Sequence, residues 1–461
     1  MNYLRAGVGR ADLTPAPGMP QGGWGAQTHQ RGVGADMPFY ATALVLSNGN
    51  ETAVIVDLDA IGFDAEWTNK IVGAIAELTQ IPRDCIRFSC SHTHSGPNTF
   101  RLATISEGLE TNLPYLDSLP QRIAGAVWQA KKNLQAVRLA VGSGTSDINV
   151  NRRCRTPEGI PVSGRNWQGN VDRTVRVVRF DNLNEEPVAV IVHYACHPTI
   201  MAWENQWFTP DYPGAMREVV EQQVGGTCLF LQGAAGDIGP RVGYTGDLRI
   251  YRRMGKILGL EAASVAMNLD TLPRRERLVG VLQSGAPIAL YEDEPQEPEV
   301  PILRVTRRAV ALPLRKLRPL YELEAEVKNY GAELMRLRQS GNVEELRAAT
   351  ARSTQANSRA EMARLYAGKP TVDWELQCIR VGSLAFLSCQ GEPFLEISQR
   401  IVADSPFQHT LFSGYSNGAF GYLPTRQAFD EGGYEIDASP FAPAAAEVLI
   451  AESLRMLHEM V

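Results

Sequence analysis

The segment CSHTHSGP at residues 90–97 contains the residue types best suited to chemistry. It places His92 and His94 two positions apart, directly after the apolar, strand-like run at residues 85–89. On an extended segment the side chains at i and i+2 point to the same face, so the two imidazoles are expected to lie close together. Either both bind one metal ion, or one binds it while the other handles a proton or an oxyanion.

A second histidine-containing segment, residues 193–199, supplies candidate partners. His197 ends an apolar run and precedes proline, which favours an extended backbone that projects the imidazole into a cleft. His193 lies four residues earlier and competes as a ligand, although a hydrogen-bonded core residue is the favoured interpretation. Asp211 is either a carboxylate near the site or a cap for a helix over residues 213–223.

The carboxyl-terminal third adds acidic and phenolic candidates. Glu392 follows a predicted strand and precedes proline, where it is either a metal ligand or a glutamate stabilised by a helix dipole. Tyr422 and Tyr434 lie in a loop rich in glycine, asparagine and proline, and either phenol could bind metal or donate a proton. Together with the histidines, these residues indicate a divalent-metal hydrolase site assembled from distant parts of the chain.

Composition and charge narrow the class of ligand. The formal charge of −6 argues against nucleic acid, because phosphate binding needs a basic surface. The run Arg152-Arg153-Cys154-Arg155 is suited instead to a small anion. The glycine-rich loop at residues 233–240 lacks the Lys-Ser/Thr pair of a P-loop, so we interpret it as a backbone-rich turn lining a small-molecule pocket.

The cysteines and the amino terminus predict the compartment. The seven cysteines are scattered without a CxxC pair, which is typical of reduced thiols. Residues 1–7 lack the apolar core of a signal peptide, and no run of about 18 apolar residues follows anywhere in the chain. These features predict a soluble, cytoplasmic protein without a transmembrane segment.

The alternation of strand and helix patterns predicts an α/β (mixed α+β) fold, with mixed β-sheets flanked by helices, in a single domain over residues 1–461. Residues 290–301 are acidic and proline-rich and predict an exposed loop. Residues 316–367 predict a helical-hairpin insertion that serves as a surface insertion, a homo-oligomer contact or a lid. Further predicted elements are a hairpin over 41–58, a helix over 65–79, strand pairs over 174–195 and 376–389, a strand over 227–231 and a last helix over 441–458.

These segments, read in order, resemble the neutral, non-lysosomal ceramidase family across nearly the whole chain. The HTHSGP string is the most specific of the matching features, and the order of the others strengthens the match. The matching features are GRADLTP at 9–15, Gly22-Gly23 before Trp24, HTHSGP at 92–97, His197, GDIGP at 236–240, Gly391-Glu392, and Ser416-Asn417 through Tyr422 to Tyr434-Glu435.

The resemblance implies a zinc-dependent amidase with a defined set of site residues. It implies Zn2+ ligands at His92, His197, Glu392 and Tyr422. It places His94 beside the attacking water or the developing oxyanion. Arg152 matches an arginine that faces the substrate, and Tyr434 matches a second tyrosine at the pocket.

One departure from the family pattern bears on the substrate. The family carries a serine implicated in amide cleavage where this chain has Gly239. Hydrolysis of a linear N-acyl amide by metal-activated water needs no serine, so we expect a ceramidase-like reaction on a different, more polar substrate. The alternatives are a metal-dependent esterase, lactonase or glycoside-cleaving enzyme on a small polar substrate, and a non-catalytic metal- or ligand-binding protein.

Overall fold

The fold was obtained as a computed structural model, which describes residues 3–339, 341–418 and 421–461. The strands are β1 Leu4–Asp12, β2 Gly34–Ala35, β3 Tyr40–Ser47, β4 Thr52–Leu58, β5 Ile86–Cys90, β6 Gln135–Thr145, β7 Asn149–Arg155, β8 Pro161–Asn166, β9 Thr174–Asn182, β10 Pro187–Tyr194, β11 Trp207–Phe208, β12 Thr227–Gln232, β13 Ile238–Pro240, β14 Arg274–Leu282, β15 Ile288–Pro295, β16 Leu303–Pro313, β17 Thr371–Val381, β18 Leu384–Cys389, β19 Glu392–Pro393, β20 His409–Ser413 and β21 Tyr422–Leu423. The helices are α1 Ala65–Thr79, α2 Leu109–Lys132, α3 Tyr212–Val224, α4 Leu248–Met267, α5 Leu320–Leu337, α6 Val343–Tyr366, α7 Leu395–Ala403, α8 Arg426–Glu431, α9 Tyr434–Asp437 and α10 Ala445–Met460.

The largest sheet is mixed and has the strand order β12-β10-β9-β6-β1-β3-β4-β5. Its two halves meet through a short antiparallel pairing of Leu4–Ala6 with Gln135–Val137. Strand β12, at one edge of this sheet, also approaches β4 near the other edge. The backbone N–H of Phe230 on β12 donates to Asp57 Oδ2 on β4 at 2.9 Å. Each half carries a parallel pair at its edge, β4 with β5 and β10 with β12.

Four layers build the core. Strands alternate their side chains between two faces, so one face of the large sheet packs on α1 to α4 and the other packs on a smaller sheet of order β16-β17-β18-β20. The outer face of the smaller sheet is covered by α7 and α10. Helices therefore flank mixed sheets on both sides, which confirms the fold class expected from the sequence.

Most predicted elements are present close to their expected bounds. The hairpin forms from β3 and β4 around Gly49, whose φ of 95° suits the tight turn. The 65–79 helix matches α1, which Asp64 caps by accepting from the backbone N–H of Trp67. The strand pairs, the buried strand, the helical hairpin and the last helix correspond to β9 with β10, β17 with β18, β12, α5 with α6, and α10.

The predicted loop at residues 290–301 is only partly correct. Its first six residues belong to β15, which pairs with β14 in an exposed two-stranded arm. The acidic residues that suggested a loop lie opposite arginines of β14, as in the Arg277–Glu292 ion pair at 2.6 Å. The acidic residues therefore form ion pairs across the two strands, and only the solvent exposure of this segment was predicted correctly.

Two further features bear on the expected location and partners. In the described ranges, no helix combines the length and apolar composition that a membrane span requires. All seven cysteines lie in those ranges and carry free thiols. The helical hairpin docks on a surface loop, where Arg338 Nη2 donates to the carbonyl of Thr104 at 2.7 Å.

Candidate metal centre

His92 leaves the end of β5 in a strained conformation. Its φ is 69°, in the left-handed region that side-chain-bearing residues seldom adopt. Its backbone N–H donates to Ala60 O at 2.9 Å, and its Nδ1 lies 2.5 Å from Ile61 O. When Nδ1 donates to that carbonyl, the lone pair of a neutral ring lies on Nε2, the nitrogen that can bind a metal ion.

His94 is held by a glycine that tolerates no side chain. Its Nδ1 lies 2.8 Å from the carbonyl oxygen of Gly23. A Cβ atom added to Gly23 would stand 2.3 Å from the carbonyl oxygen of His94. The two backbones therefore approach too closely for any residue but glycine, and this approach orients the His94 ring.

His197 completes a group of three imidazoles. It follows β10, is fully buried, and has Nδ1 3.1 Å from Ala235 O. Its Nε2 faces His94 Nε2 at 3.1 Å, and the ligand atoms of His92, His94 and His197 all lie within 4.8 Å of one another. The structure thus brings together the three histidines predicted from the sequence.

His94 and His197 are both neutral at neutral pH, which suits the binding of a cation. Burial, the His92 ring and the nearby Arg152 charge lower the pKa of His94 to about 3. Burial, followed by the Arg152 charge, also lowers the pKa of His197 well below its ordinary value. At neutral pH, two lone pairs then face each other at 3.1 Å, an arrangement that a bound cation would relieve.

Glu392 adds a carboxylate to the same space. Its Oε2 lies 3.4 Å from His92 Nε2 and 3.7 Å from His197 Nε2. Although this oxygen is buried, it accepts no hydrogen bond from any residue that the structure describes. A buried oxygen without a donor is costly, so three clustered imidazoles and one unsatisfied carboxylate oxygen fit a divalent metal ion.

Tyr422 lies beside Glu392, because β19 and β21 pair in parallel with these two residues in register. Burial, with the Glu392 charge, raises the pKa of the Tyr422 phenol well above its ordinary value. The ring of Tyr434 lies 5.7 Å from the Tyr422 ring and is 51% exposed. The segment from Ser416-Asn417 to Tyr422 includes residues 419 and 420, which are outside the described ranges.

Arg152 lies beside the Tyr422 ring. Its guanidinium lies 5.3 Å from the centre of the Tyr422 ring, and its Nε donates to Glu435 Oε1 at 3.0 Å. The sequence singled out Arg152 and both tyrosines but assigned no role to Glu435. Local sequence patterns do not indicate that a carboxylate 283 positions away orients this arginine.

Two aromatic residues beside the histidines were also assigned no role from the sequence. The Tyr415 ring lies 4.4 Å from the His92 ring, and its hydroxyl lies 3.5 Å from His197 Nδ1. The Trp24 ring packs 5.3 Å from the His94 ring. Their positions beside Gly414 and Gly23 give only weak sequence signals, since many glycine–aromatic pairs are structural.

The remaining candidates have structural positions. His193 Nε2 lies 2.8 Å from Phe412 O, and this buried ring is absent from the group of three histidines. Asp211 caps α3 by accepting from Tyr212 N–H at 2.6 Å, which resolves the choice between a site carboxylate and a cap.

Comparisons with known proteins agree with this architecture. The family model for neutral/alkaline non-lysosomal ceramidase, N-terminal, matches residues 4–246. Neutral ceramidase B of Dictyostelium discoideum is 27% identical over 254 residues, which is 51% of this chain and 35% of that protein. Neutral ceramidase of Pseudomonas aeruginosa is 24% identical over 99% of this chain and 72% of its own length. The chain thus spans about a third of some curated relatives and nearly three quarters of another.

Solved structures show the same fold. The crystal structure of neutral ceramidase from Pseudomonas aeruginosa matches with a TM-score of 0.68 at 19% identity and covers 100% of this chain and 75% of that one. A structure described as ceramidase complexed with C2 matches with the same TM-score at 18% identity. Because the family model covers more than half of the residues, the chain belongs to the neutral/alkaline non-lysosomal ceramidase family.

Proposed function

We propose that this protein is a zinc-dependent hydrolase that cleaves a linear N-acyl amide with a water molecule as nucleophile. The observation that carries the proposal is the group of three imidazoles, two of which face the unsatisfied Oε2 of Glu392. The metal ligands in this proposal are His92, His197, Glu392 and Tyr422. A zinc ion held there would supply Lewis acidity, which lowers the pKa of a water molecule well below its ordinary value and polarises a carbonyl.

His94 is proposed to lie beside the attacking water and the developing oxyanion. Its Nδ1 is engaged with the Gly23 carbonyl, and its Nε2 points into the group of histidines. An Nε2 lone pair in that position can accept a hydrogen bond from the attacking water and orient it. The Trp24 ring packs 5.3 Å from the His94 ring and helps to hold its orientation.

Arg152 and Tyr434 are the proposed substrate-facing groups. Tyr434 is half exposed beside Tyr422, and in this proposal its phenol donates to the oxygen that gains charge, a contribution of roughly 3–4 kcal/mol for a well-placed donor. The Arg152 guanidinium is buried and fixed by Glu435, so it can bind an anionic group without reorganising. A polar substrate, different from ceramide, fits this wall better than an apolar one.

The second candidate function is hydrolysis of a different bond at the same site. The same groups can hydrolyse an ester or a lactone, because both reactions pass through a tetrahedral oxyanion, whereas glycoside cleavage needs two opposed carboxylates. A panel of N-acyl amides, esters, lactones and glycosides tests the choice. A non-catalytic metal-binding protein is the third candidate, and zinc-dependent turnover against a chelated control excludes it.

The fold also bears on location and assembly. We propose a cytoplasmic protein that acts on a small molecule, with α5 and α6 as the contact if the chain forms a homo-oligomer. The single catalytic domain over 1–461, with its insertion at 316–367, is part of the same proposal. The free thiols support the location, and the exposed position of the helical hairpin supports the contact.

The ligand set is tested by His92→Ala. We expect both bound zinc and turnover of the N-acyl amide to be lost, because one of the converging nitrogens disappears. Zinc is measured by elemental analysis after dialysis. His193→Gln is the matched control, since His193 is an equally buried histidine outside the group, and this variant should retain zinc. Full zinc stoichiometry in His92→Ala would contradict the assignment.

A further inference from the structure

Arg87 carries a guanidinium group into the core between the large sheet and the β16-β17-β18-β20 sheet. It pairs in register with Ile55 of β4, which belongs to that core, so both side chains point to the same face. Arg87 is fully buried, and none of its Nε, Nη1 and Nη2 atoms has a hydrogen-bond partner among the described residues. Burying five N–H donors without acceptors is costly, so the arginine calls for a further group.

The charge on Arg87 also lacks a counter-charge. Burial lowers the pKa of Arg87 to about 10, so the side chain still carries its proton at neutral pH. After burial, the group that acts on this pKa is the Cys378 thiol, and burial raises the pKa of that thiol to about 12. A protonated thiol supplies no negative charge. The Phe386 ring, whose centre lies 6.0 Å from the guanidinium carbon, balances the charge only in part.

The smaller sheet presents a row of polar side chains to the same core. Gln377, Ser388 and Ser413 are buried and lie side by side on β17, β18 and β20. Each lies two positions along its strand from a residue of the core between the sheets, so the row faces the large sheet. Gln377 Nε2 also reaches the carbonyl of Ile86, the residue before Arg87, at 3.4 Å. Gln377 Oε1 and Ser413 Oγ are buried without a hydrogen-bond partner in the described ranges.

His193 on β10 joins this polar row from the large sheet. Its Nε2 lies 2.8 Å from the carbonyl oxygen of Phe412, the residue before Ser413. A carbonyl only accepts, so Nε2 carries the proton of the neutral ring and the buried Nδ1 is an acceptor, again without a partner among the described residues. Burial is the largest cause that lowers the pKa of His193, and the charges of Arg176 and Arg87 add to it. His193 therefore lies within electrostatic reach of Arg87.

We propose that Arg87 and Ser413 bind one chloride ion between the two sheets. A monovalent anion balances one guanidinium, whereas phosphate or sulfate would leave a second charge buried. Guanidinium N–H groups and the Ser413 hydroxyl can all donate to the ion. Gln377 Oε1 and His193 Nδ1 only accept, so bridging water that donates to them and to chloride completes the network. The site thus accounts for each unpaired polar atom in this layer.

The position of this site gives the ion a structural role. Three of the strands that contribute polar groups lead directly to proposed metal ligands: β5 to His92, β10 to His197 and β18 to Glu392. A chloride held between the sheets would therefore fix these strands against one another. This inference is independent of the reaction that the metal centre catalyses.

The test is urea denaturation of the zinc-loaded protein at constant ionic strength, with sodium chloride replaced stepwise by sodium gluconate. A ligand that binds only the folded state stabilises it by mass action, so each tenfold rise in chloride above its Kd should raise the ratio of folded to unfolded protein about tenfold. Arg87→Met should abolish this dependence, and Ser413→Ala should weaken the Kd roughly 10-fold or more. Arg455→Met, which removes an exposed arginine, is the matched control and should retain the dependence.

A crystal of the protein grown in sodium bromide locates the ion directly, because bromide replaces chloride and scatters anomalously. We expect a peak beside the Arg87 guanidinium, and this result stands even if Arg87→Met fails to fold. Stability that is independent of chloride, or a map without that peak, would overturn the site and leave water as the partner of Arg87. A chloride dependence that persists in Arg87→Met would also overturn it, since the ion would then bind at the metal centre or the surface.

Discussion

At the residue scale, the site depends on how each imidazole is turned. All three histidines place Nδ1 on a backbone carbonyl, at 2.5 Å for His92, 2.8 Å for His94 and 3.1 Å for His197. Such outer partners set which nitrogen is free and orient the ring. The residue types and their order along the chain were predictable, whereas the carbonyls that orient them belong to loops 31 to 71 positions away.

The geometric reason first given for the pairing of His92 and His94 was wrong in detail. The sequence suggested an extended segment with both rings on one face. The structure instead has His92 in the left-handed region, and the two rings meet at 5.0 Å and an interplanar angle of 85°. A conformation fixed by tertiary hydrogen bonds cannot be deduced from local periodicity, since the strain is sustained only by distant partners.

Gly23 provides a prediction at this scale. Gly23→Ala should displace the His94 backbone, because the new Cβ would stand 2.3 Å from the His94 carbonyl oxygen. We expect kcat for the N-acyl amide to fall by roughly 10-fold or more while zinc stays bound, because His94 is displaced from the attacking water but the proposed ligands are not. Steady-state kinetics measures the loss, and a competition titration with a chromogenic chelator measures zinc affinity.

The control for that substitution is Gly125→Ala on α2. A Cβ atom there meets nothing within 4 Å, and the residue lies inside a helix. The change should raise the free energy of unfolding by about 0.5–1 kcal/mol and leave kcat unchanged. Normal kcat in Gly23→Ala would show that the close backbone approach does not orient His94.

At the element scale, the site is built at the ends of parallel strand pairs. His92 follows β5, His197 follows β10, and Glu392 follows β18, each paired in parallel with a neighbour. The apolar runs predicted these strands well, since a buried strand has a strong signal. The pairing of β19 with β21, which sets Glu392 beside Tyr422, involves two residues on each strand and has no periodicity to detect.

A buried ion triad joins helix α3 to strand β4 and the turn after it. Arg217 on α3 donates from Nη1 to Asp57 Oδ2 at 2.7 Å and from Nη2 to Asp59 Oδ2 at 2.5 Å. Burial is the largest cause that raises the pKa of Asp57 to about 6, and the Arg217 charge opposes it. The triad therefore fixes α3 against β4 and the turn that leads to Ile61 O, the partner of His92.

Removing one member of the triad should be costly. Arg217→Met leaves two carboxylates buried without a counter-charge, so the free energy of unfolding should fall by about 3–5 kcal/mol. Urea denaturation followed by tryptophan fluorescence measures the loss. Arg455→Met, which removes an exposed ion pair with Glu452, is the control and should change stability by less than about 1 kcal/mol. Equal effects of the two substitutions would contradict a structural role for the triad.

At the scale of the whole molecule, layer architecture was predictable and long-range convergence was not. Near-continuous apolar runs on β3 and β4 are typical of a sheet covered on both faces, and four layers satisfy that pattern. The approach of β12 to β4, and the contact of Ser89 on β5 with Ser416 after β20, join residues 173 and 327 positions apart. Such contacts leave no local trace in a single sequence.

Buried histidines make the whole metal-free fold sensitive to acid, and His193 provides the test. Burial, followed by the Arg176 charge, lowers the pKa of His193 to about 4, whereas an unfolded chain retains its ordinary value of about 6.5. Between these values the unfolded state binds the extra proton, so stability is full above pH 6.5 and is lost as pH falls towards 4. We expect a loss of roughly 2–3 kcal/mol from this residue in the chelated protein.

His193→Gln isolates that contribution, because glutamine has no proton to gain at acid pH while it can still donate to the Phe412 carbonyl that His193 Nε2 meets. Urea denaturation of both proteins from pH 7.5 to pH 4 should therefore give curves of stability against pH that differ in slope, with the variant flatter below pH 6.5. The other buried histidines lower stability in both proteins and cancel in the comparison. Parallel curves would mean that His193 takes up its proton equally in the folded and unfolded states, and the acid sensitivity of the fold would then have to arise elsewhere.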